Sequence, residues 1–406
     1  MAGPQRGPAL VASHSALKQT IFGEVSMKKT LISLGATAAL GLAGTAHAQS
    51  SVTLYGLIDA GITYTNNQGG HSNVQEMSGA VNGSRWGLRG AEDLGGGLKA
   101  VFTLESGFSI ANGKLGQGSR EFGRQAFVGL TSSQYGALTL GRQYDSVVDY
   151  LGPLALTGTG YGGTQAAHPF DNDNLDNSFR VSNSVKYQSV NYGGLKFGGL
   201  YGFSNDAGGF ATNRAYSVGV SYNWNSLNVA AGYLQLNNSG TSLNSSGAVS
   251  DDATFTAKTQ RTWGVGANYG FGGATVGLLV TQTHLSSLTG IGSSASGTSS
   301  GLTLASGSAR FNNYELNGRY QLTPALSISG AYTYTDSRIA GVSPKWNQFT
   351  LQTDYALSKR TDVYLEGVYQ HVSDTGNSSI HAVINGLSTS DTNQQVAVTV
   401  GLRHRF

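Results

Sequence analysis

The 406-residue chain contains no cysteine. That excludes a disulfide scaffold, a thiolate nucleophile and a Cys₄ zinc site. Its six prolines are too few for a collagenous or Pro-rich linker protein. Charged residues make up 12%, about half the usual quarter, which is not the composition of a typical cytoplasmic enzyme. No apolar run reaches about 18 residues and the mean hydropathy is -0.16, so helical membrane spans are not indicated. What the chain has instead is 59 glycines and 10% aromatics. Glycine is thus about twice its average share, and the aromatic content argues against disorder. A soluble all-β protein and a membrane β-barrel remain.

The formal charge of +3 has a local origin. Met27-Lys28-Lys29-Thr30 opens a basic segment, Leu31 to Gly44 is apolar and small, and Ala46-His47-Ala48 supplies a small-x-small cleavage signal. Residues 27–48 therefore read as a secretory signal peptide cut between Ala48 and Gln49. Residues 1–26 lack a pattern, and translation is expected to start at Met27, with 1–26 an upstream start-site artefact. The segment 1–48 holds Arg6, Lys18, Lys28 and Lys29 against Glu24. Of the 25 basic and 22 acidic residues, 21 of each are left for 49–406. A neutral chain offers no clustered basic surface for nucleic acid.

From residue 51 the pattern alternates with period two. Val52, Leu54, Ile58, Ala60, Ile62 and Tyr64 share one parity, while Thr53, Tyr55, Leu57, Asp59 and Thr63 share the other. The same alternation recurs around Trp86, Val185, Val218, Ile328 and Val398. More than ten residues is long for a soluble strand and right for a tilted transmembrane one. Short turns such as Gly95-Gly96-Gly97 and Tyr192-Gly193-Gly194 alternate with long Gly/Ser/Asn/Asp segments near 108–120, 145–178, 238–258, 286–308 and 374–391. That is the connection pattern of outer-membrane barrels. About sixteen strands are expected, starting near 51, 82, 98, 122, 136, 179, 195, 214, 226, 260, 273, 310, 325, 346, 361 and 392. The fold class is all-β, a transmembrane antiparallel barrel. An even count puts both termini on the periplasmic side, closure removes edge strands, and the lumen is wide enough for water.

The polar parity must then line water, because Arg85, Arg89, Lys99, Arg124, Arg180 and Lys186 could not face lipid cheaply. Tyr64, Trp86, Phe127, Tyr187, Trp224, Trp263, Tyr334 and Trp346 are expected at the interfacial girdles.

Long blocks carry a family resemblance: SSVTLYGLIDAGITY, SRWGLRGAEDLGGGLKAVFTLESGF, REFGRQAFVGLTSSQYGALTLGRQYD and AVTVGLRHRF. The chain resembles the Gram-negative general porins, trimeric sixteen-stranded diffusion channels, over essentially all of 49–406. The resemblance implies a homotrimer in the outer membrane, exported through the periplasm, passing ions and small hydrophilic solutes, with no cofactor. It implies a third loop, here 145–178, folded into the barrel. Its acids Asp145, Asp149, Asp171, Asp173 and Asp176 would face the wall arginines Arg85, Arg124 and Arg180 across an eyelet. Phe406 resembles the terminal aromatic read by the barrel-assembly machinery, although His404 stands where relatives often have a second aromatic. The loop tip GPLALTGTGYGG lacks an acid that many relatives carry, and Leu57 stands at a wall position that is basic in some.

Other motifs carry less. Gly158 to Gly163 fits GxGxxG without the βαβ context of a dinucleotide site. Gly297-Thr298-Ser299-Ser300-Gly301 fits GxSxG without a strand–turn–helix. Asp171 to Asp176 starts like a calcium loop, but Leu175 and the missing glycine break the pattern. His71, His168, His284, His371, His381 and His404 have no metal-binding spacing. The rival readings are an adhesin or structural barrel and a barrel enzyme active at its rim; conduction in a planar bilayer separates both from a channel.

Overall fold

The computed structural model describes residues 51–241, 244–249, 252–292, 302–376 and 379–406, with the backbone alone over 302–306. The expected leader and start-site segment, 1–48 with Gln49, lie outside the described residues, as does the GxSxG stretch.

Among the described residues sixteen antiparallel strands close on themselves. They are β1 (Ser51–Gln68), β2 (His71–Ser78 and Arg85–Gly95), β3 (Leu98–Gly107), β4 (Gln125–Ser132), β5 (Gly136–Gln143), β6 (Val181–Gln188), β7 (Leu195–Gly202) and β8 (Ala215–Trp224). Then follow β9 (Leu227–Asn237), β10 (Phe255–Thr256 and Thr259–Phe271), β11 (Ala274–Ile291), β12 (Leu302–Gln321), β13 (Leu326–Ile339), β14 (Lys345–Ala356), β15 (Thr361–Ser373) and β16 (Gln394–Arg405). Neighbours in sequence pair in order, and β16 pairs with β1 from Leu57↔Arg405 to Thr65↔Ala397. Closure leaves no edge for lipid to strand without hydrogen bonds.

Side-chain period sets the two faces. In β1, Val52, Leu54 and Ile62 are 65%, 58% and 62% exposed, whereas Asp59 and Thr63 on the other parity are 0%. A surface that is apolar outside and polar inside fits only a barrel set in lipid around a wet or protein-filled lumen. Exposed Tyr222, Trp224, Tyr269, Phe271, Tyr320 and Tyr355 crowd the ends bearing the short turns 225–226, 272–273, 322–325 and 357–360, an interfacial belt. Phe406 lies at the same end. It exchanges backbone hydrogen bonds with Gly56 at 3.0 and 3.1 Å, and its ring covers the spot a Gly56 side chain would fill.

Four expectations needed adjusting. β2 begins at His71 and breaks at 79–84, where Asp59 accepts the amides of Asn82 and Val81 at 2.7 and 3.3 Å. β11 and β12 run on to Ile291 and from Leu302, because Ser- and Thr-rich sequence pairs as readily as it loops. Phe127 and Trp346 face inward rather than joining a girdle. Each sits on the polar parity, Phe127 beside exposed Val128 and Leu130, Trp346 beside exposed Phe349 and Leu351. Trp346 is buried against Phe170 of the inner loop, ring centroids 5.8 Å apart.

Candidate functional site

The connection 144–180 runs inside the barrel, and its seat is built into the wall. Gly198, Gly219, Gly232 and Gly264 stand side by side in β7 to β10. This row forms a groove for helix α1 (Ser146–Tyr150) and the residue after it. A side chain at Gly219 would sit 2.3 Å from the Tyr150 ring, and one at Gly264 2.8 Å from Leu151. Asp145 caps α1 by accepting the amide of Val147 at 2.7 Å and that of Val148 at 3.3 Å, a stabilising end for a helix of one turn. Substituting Gly219 by valine should therefore unseat the helix. The expected result is a larger and noisier single-channel conductance, read in planar bilayers.

Beyond α1 the loop crosses the lumen. The Leu156 amide donates to Glu315 Oε1 at 2.7 Å, Ser329 to the Tyr161 carbonyl at 3.0 Å, and Arg403 to the Gly160 carbonyl at 2.8 Å. On its return His168 lies fully buried between Asp173, 2.7 Å from Nδ1, and Glu315, 2.8 Å from Nε2. Burial alone would push the His168 imidazolium down; the two carboxylates outweigh it and raise it to about 10. Phe170 then packs edge-on to Trp346 and Phe311. The last long connection joins this packing: Ile380, Ala382 and Val383 lie against the same cluster. Replacing Phe170 by alanine should cost about 3–5 kcal/mol of loop anchoring, read as faster proteolysis within 144–180 while the barrel stays intact.

Where the loop leaves and rejoins the wall, at Tyr144 and Arg180, three guanidinium groups share one part of the lumen. Arg124 Nε lies 2.7 Å from Glu105 Oε1, and Arg124 Nη2 donates to the Tyr144 hydroxyl at 3.1 Å. Tyr144 and Tyr55 both donate to Glu105, at 3.2 and 2.9 Å. Arg180 stands 5.7 Å from the Tyr144 ring centre, and Arg85 is held by Nε to the Gly83 carbonyl at 2.9 Å. Burial, and then Arg124 close by, pull Arg180 down to about 10, which still leaves it charged at neutral pH. Arg142, alongside, is neutralised by an ion pair with Asp252.

The sequence-derived residues thus divide. Arg85 and Arg124 come together around Glu105, and Arg180 stands beside Arg124 at the Tyr144 ring. Arg89 lies one row nearer the short turns, over the Tyr55 ring at 5.1 Å. Lys99 is exposed beside the turn, opposite Asp93. Lys186 is ion-paired with Asp149 and donates to the Tyr144 carbonyl at 3.0 Å. Among the loop acids, Asp145 caps α1 and holds Asn174 at 2.8 Å. Asp171 accepts the amides of Asp176 and Ser178 at 3.0 and 3.1 Å. Asp173 faces His168; burial would raise its carboxyl, but His168 holds it below the usual range. Asp176 is partly exposed, and Asn385 reaches it at 3.3 Å. Burial and Asp171 push Asp176 well up, while Arg180 and Arg124 act against them. Asp176 is therefore the loop acid that senses the arginine group.

Sequence reasoning passed over Glu105, Tyr55, Tyr144, Glu315 and the anchoring role of His168. Parity could have found Glu105, which lies on the inward side of β3 with Lys99. Nothing local marks Glu315 as a partner of a histidine 147 positions away. The stretch 158–163 forms the loop's tip, and Asp171, Asp173 and Asp176 point to separate partners rather than to a common centre.

A closed barrel of this size with an internal loop and a polar, charged interior defines a channel-forming outer-membrane protein. The Gram-negative porin family model matches residues 35–375, and the chain belongs to that family. It is 35% identical to an outer membrane porin protein of Bordetella pertussis, over 94% of this chain and all of that one. It is 30% identical to outer membrane porin protein 32 of Delftia acidovorans, with the same coverage. Among solved structures it is similar to the anion-selective porin from Comamonas acidovorans. That match has 27% identity and a TM-score of 0.68, covering 88% of this chain and all of the other. The protein is an outer-membrane porin, a transmembrane β-barrel that forms a channel.

Proposed function

We propose that this porin passes small hydrophilic solutes and ions through an eyelet between the wall group Arg85, Arg124 and Arg180 and the loop residues around Asp176, and that it prefers anions. One observation carries the reading: among the described residues Glu105 is the carboxylate paired within the group Arg85, Arg124 and Arg180, while Asp252 beside Arg180 is taken up by Arg142. A low-dielectric wall of one sign focuses the field and raises the local concentration of counter-ions. The similar Comamonas protein is an anion-selective porin, which supports the same sign. Reversal potential in a potassium chloride gradient is the test, and a cation-selective channel overturns the preference.

The working unit is proposed to be a homotrimer without enzymatic activity, held by outer-membrane lipids and folded by the barrel-assembly machinery through Phe406. Conductance steps arriving in threes support the trimer. Residues 27–48 are proposed as the signal peptide, so sequencing of the mature protein should begin at Gln49; a sequence retaining Met27 defeats that.

A further inference from the structure

A porin lumen is ordinarily polar, and on one stretch of inner wall here apolar side chains are set among the threonines and glutamines. Ala91, Val101, Phe127 and Ala137 face inward on neighbouring strands β2 to β5 and line a cavity of about 470 Å³. The cavity lies on the short-turn side of the arginine group, below α1. Its polar rim has a definite charge. Lys186 and Asp149 neutralise each other, and among the described residues no carboxylate pairs with Arg89. Arg89 is exposed, and its guanidinium lies over the Tyr55 ring at 5.1 Å. The cavity therefore carries one uncompensated positive charge.

The register fixes the spacing. Arg89 stands opposite Thr103, and Thr103 opposite Phe127. Arg89 and Phe127 are thus two strands apart in one row, about 10 Å at the backbone. In the adjoining row Ala91, Val101 and Gly129 present a shallow apolar floor, and Gln125 supplies an amide at the rim. A flat ring lying on that floor against Phe127 would place a carboxylate substituent toward Arg89. Aromatic faces attract one another beyond simple burial, and a guanidinium binds a carboxylate through two parallel hydrogen bonds.

We infer that the exit side of this channel carries a binding subsite for small aromatic monocarboxylates, built from Arg89, Phe127 and the apolar floor between them. Such a subsite would retain aromatic acids that have passed the eyelet, raising their occupancy over that of aliphatic anions of equal charge. The inference rests on the channel reading.

The test uses the intact protein in planar bilayers, with sodium benzoate or sodium acetate added on the short-turn side while chloride current is recorded. Benzoate should lower the current with a saturating dependence, and acetate should not. Phe127→Ser should raise the half-blocking benzoate concentration roughly five-fold, the size of one lost ring contact, and leave the chloride reversal potential unchanged. Phe127→Tyr keeps the ring and should keep the block, which also controls for misfolding. Arg89→Gln should abolish the benzoate effect. Equal responses to benzoate and acetate, or an undiminished block in Phe127→Ser, overturn the subsite while leaving the channel intact. A wild-type protein that inserts and passes no current at all overturns the channel reading itself, before any benzoate is added.

Discussion

Neutralising Arg85, Arg124 and Arg180 together should move the reversal potential toward the cation limit by an order of magnitude in permeability ratio. A unit charge acts on an ion 4 Å away with about 1 kcal/mol even at the dielectric constant of water. Three such charges, less the one on Glu105, supply about 2 kcal/mol of anion preference before salt screens it. The Debye length is about 10 Å at 0.1 M and about 3 Å at 1 M, so the shift should be largest in dilute salt. The design of the variant matters, because Glu105 is buried and accepts from Arg124, Tyr55 and Tyr144. Removing Arg124 alone strands that carboxylate, and breaking a buried pair costs about 3–5 kcal/mol. The informative set is Arg85→Gln, Arg124→Gln and Arg180→Gln with Glu105→Gln, which removes three positive charges and one negative without leaving an ion unpaired. Lys99→Gln is the comparison, since Lys99 lies out by the turn and should barely alter the reversal potential. An unchanged selectivity in the fourfold variant would mean that these side chains do not border the conducting path.

The barrel was legible because its rule is local. Each strand states its two faces residue by residue, and turn glycines mark the ends, so a chain in which Val52, Leu54 and Ile62 alternate with Thr53, Asp59 and Thr63 needs little else. Phe127 and Trp346 obey that rule against their residue type. Both stand on the polar parity, where position, not aromatic character, decides which face a side chain joins. Their inward partners come from elsewhere in the chain, Phe170 for Trp346 and the apolar floor of the cavity for Phe127. The loop acids fail as a sequence signal for the opposite reason. Five aspartates with no lysine or arginine look like one electrostatic feature. A chain folded inside a barrel, however, must satisfy its own buried amides, and Asp145 and Asp171 do that instead. Glu315 as a partner of His168 is a relation between a loop and a distant strand, which no periodicity encodes.

That last relation makes the loop's anchoring depend on pH in a definable way. His168 is fully buried between Asp173 and Glu315 and is raised to about 10, against an ordinary value near 6.5. A base whose folded value is raised contributes stability that is fully present below its unfolded value and is lost as pH climbs through the folded one. The anchor is therefore complete at pH 6, and weakens from about pH 7 upward. It fails as His168 loses its proton near pH 10, when Asp173 and Glu315 face each other without a cation between them. Open-channel noise and proteolysis within 144–180 should thus stay low at neutral pH and rise together toward pH 10, reversibly. His168→Leu should show the loosened loop already at pH 7 and respond little to further alkalinity, a loss of about 3–5 kcal/mol for the broken buried pair. His168→Leu combined with Asp173→Asn and Glu315→Gln should recover part of the order, because it removes the unpaired charges and leaves the amides able to bond with each other. A wild-type channel with flat noise from pH 6 to pH 10.5, or a single variant as quiet as the wild type, would show that the loop is held by Phe170, Trp346 and the glycine groove without help from the ion triad.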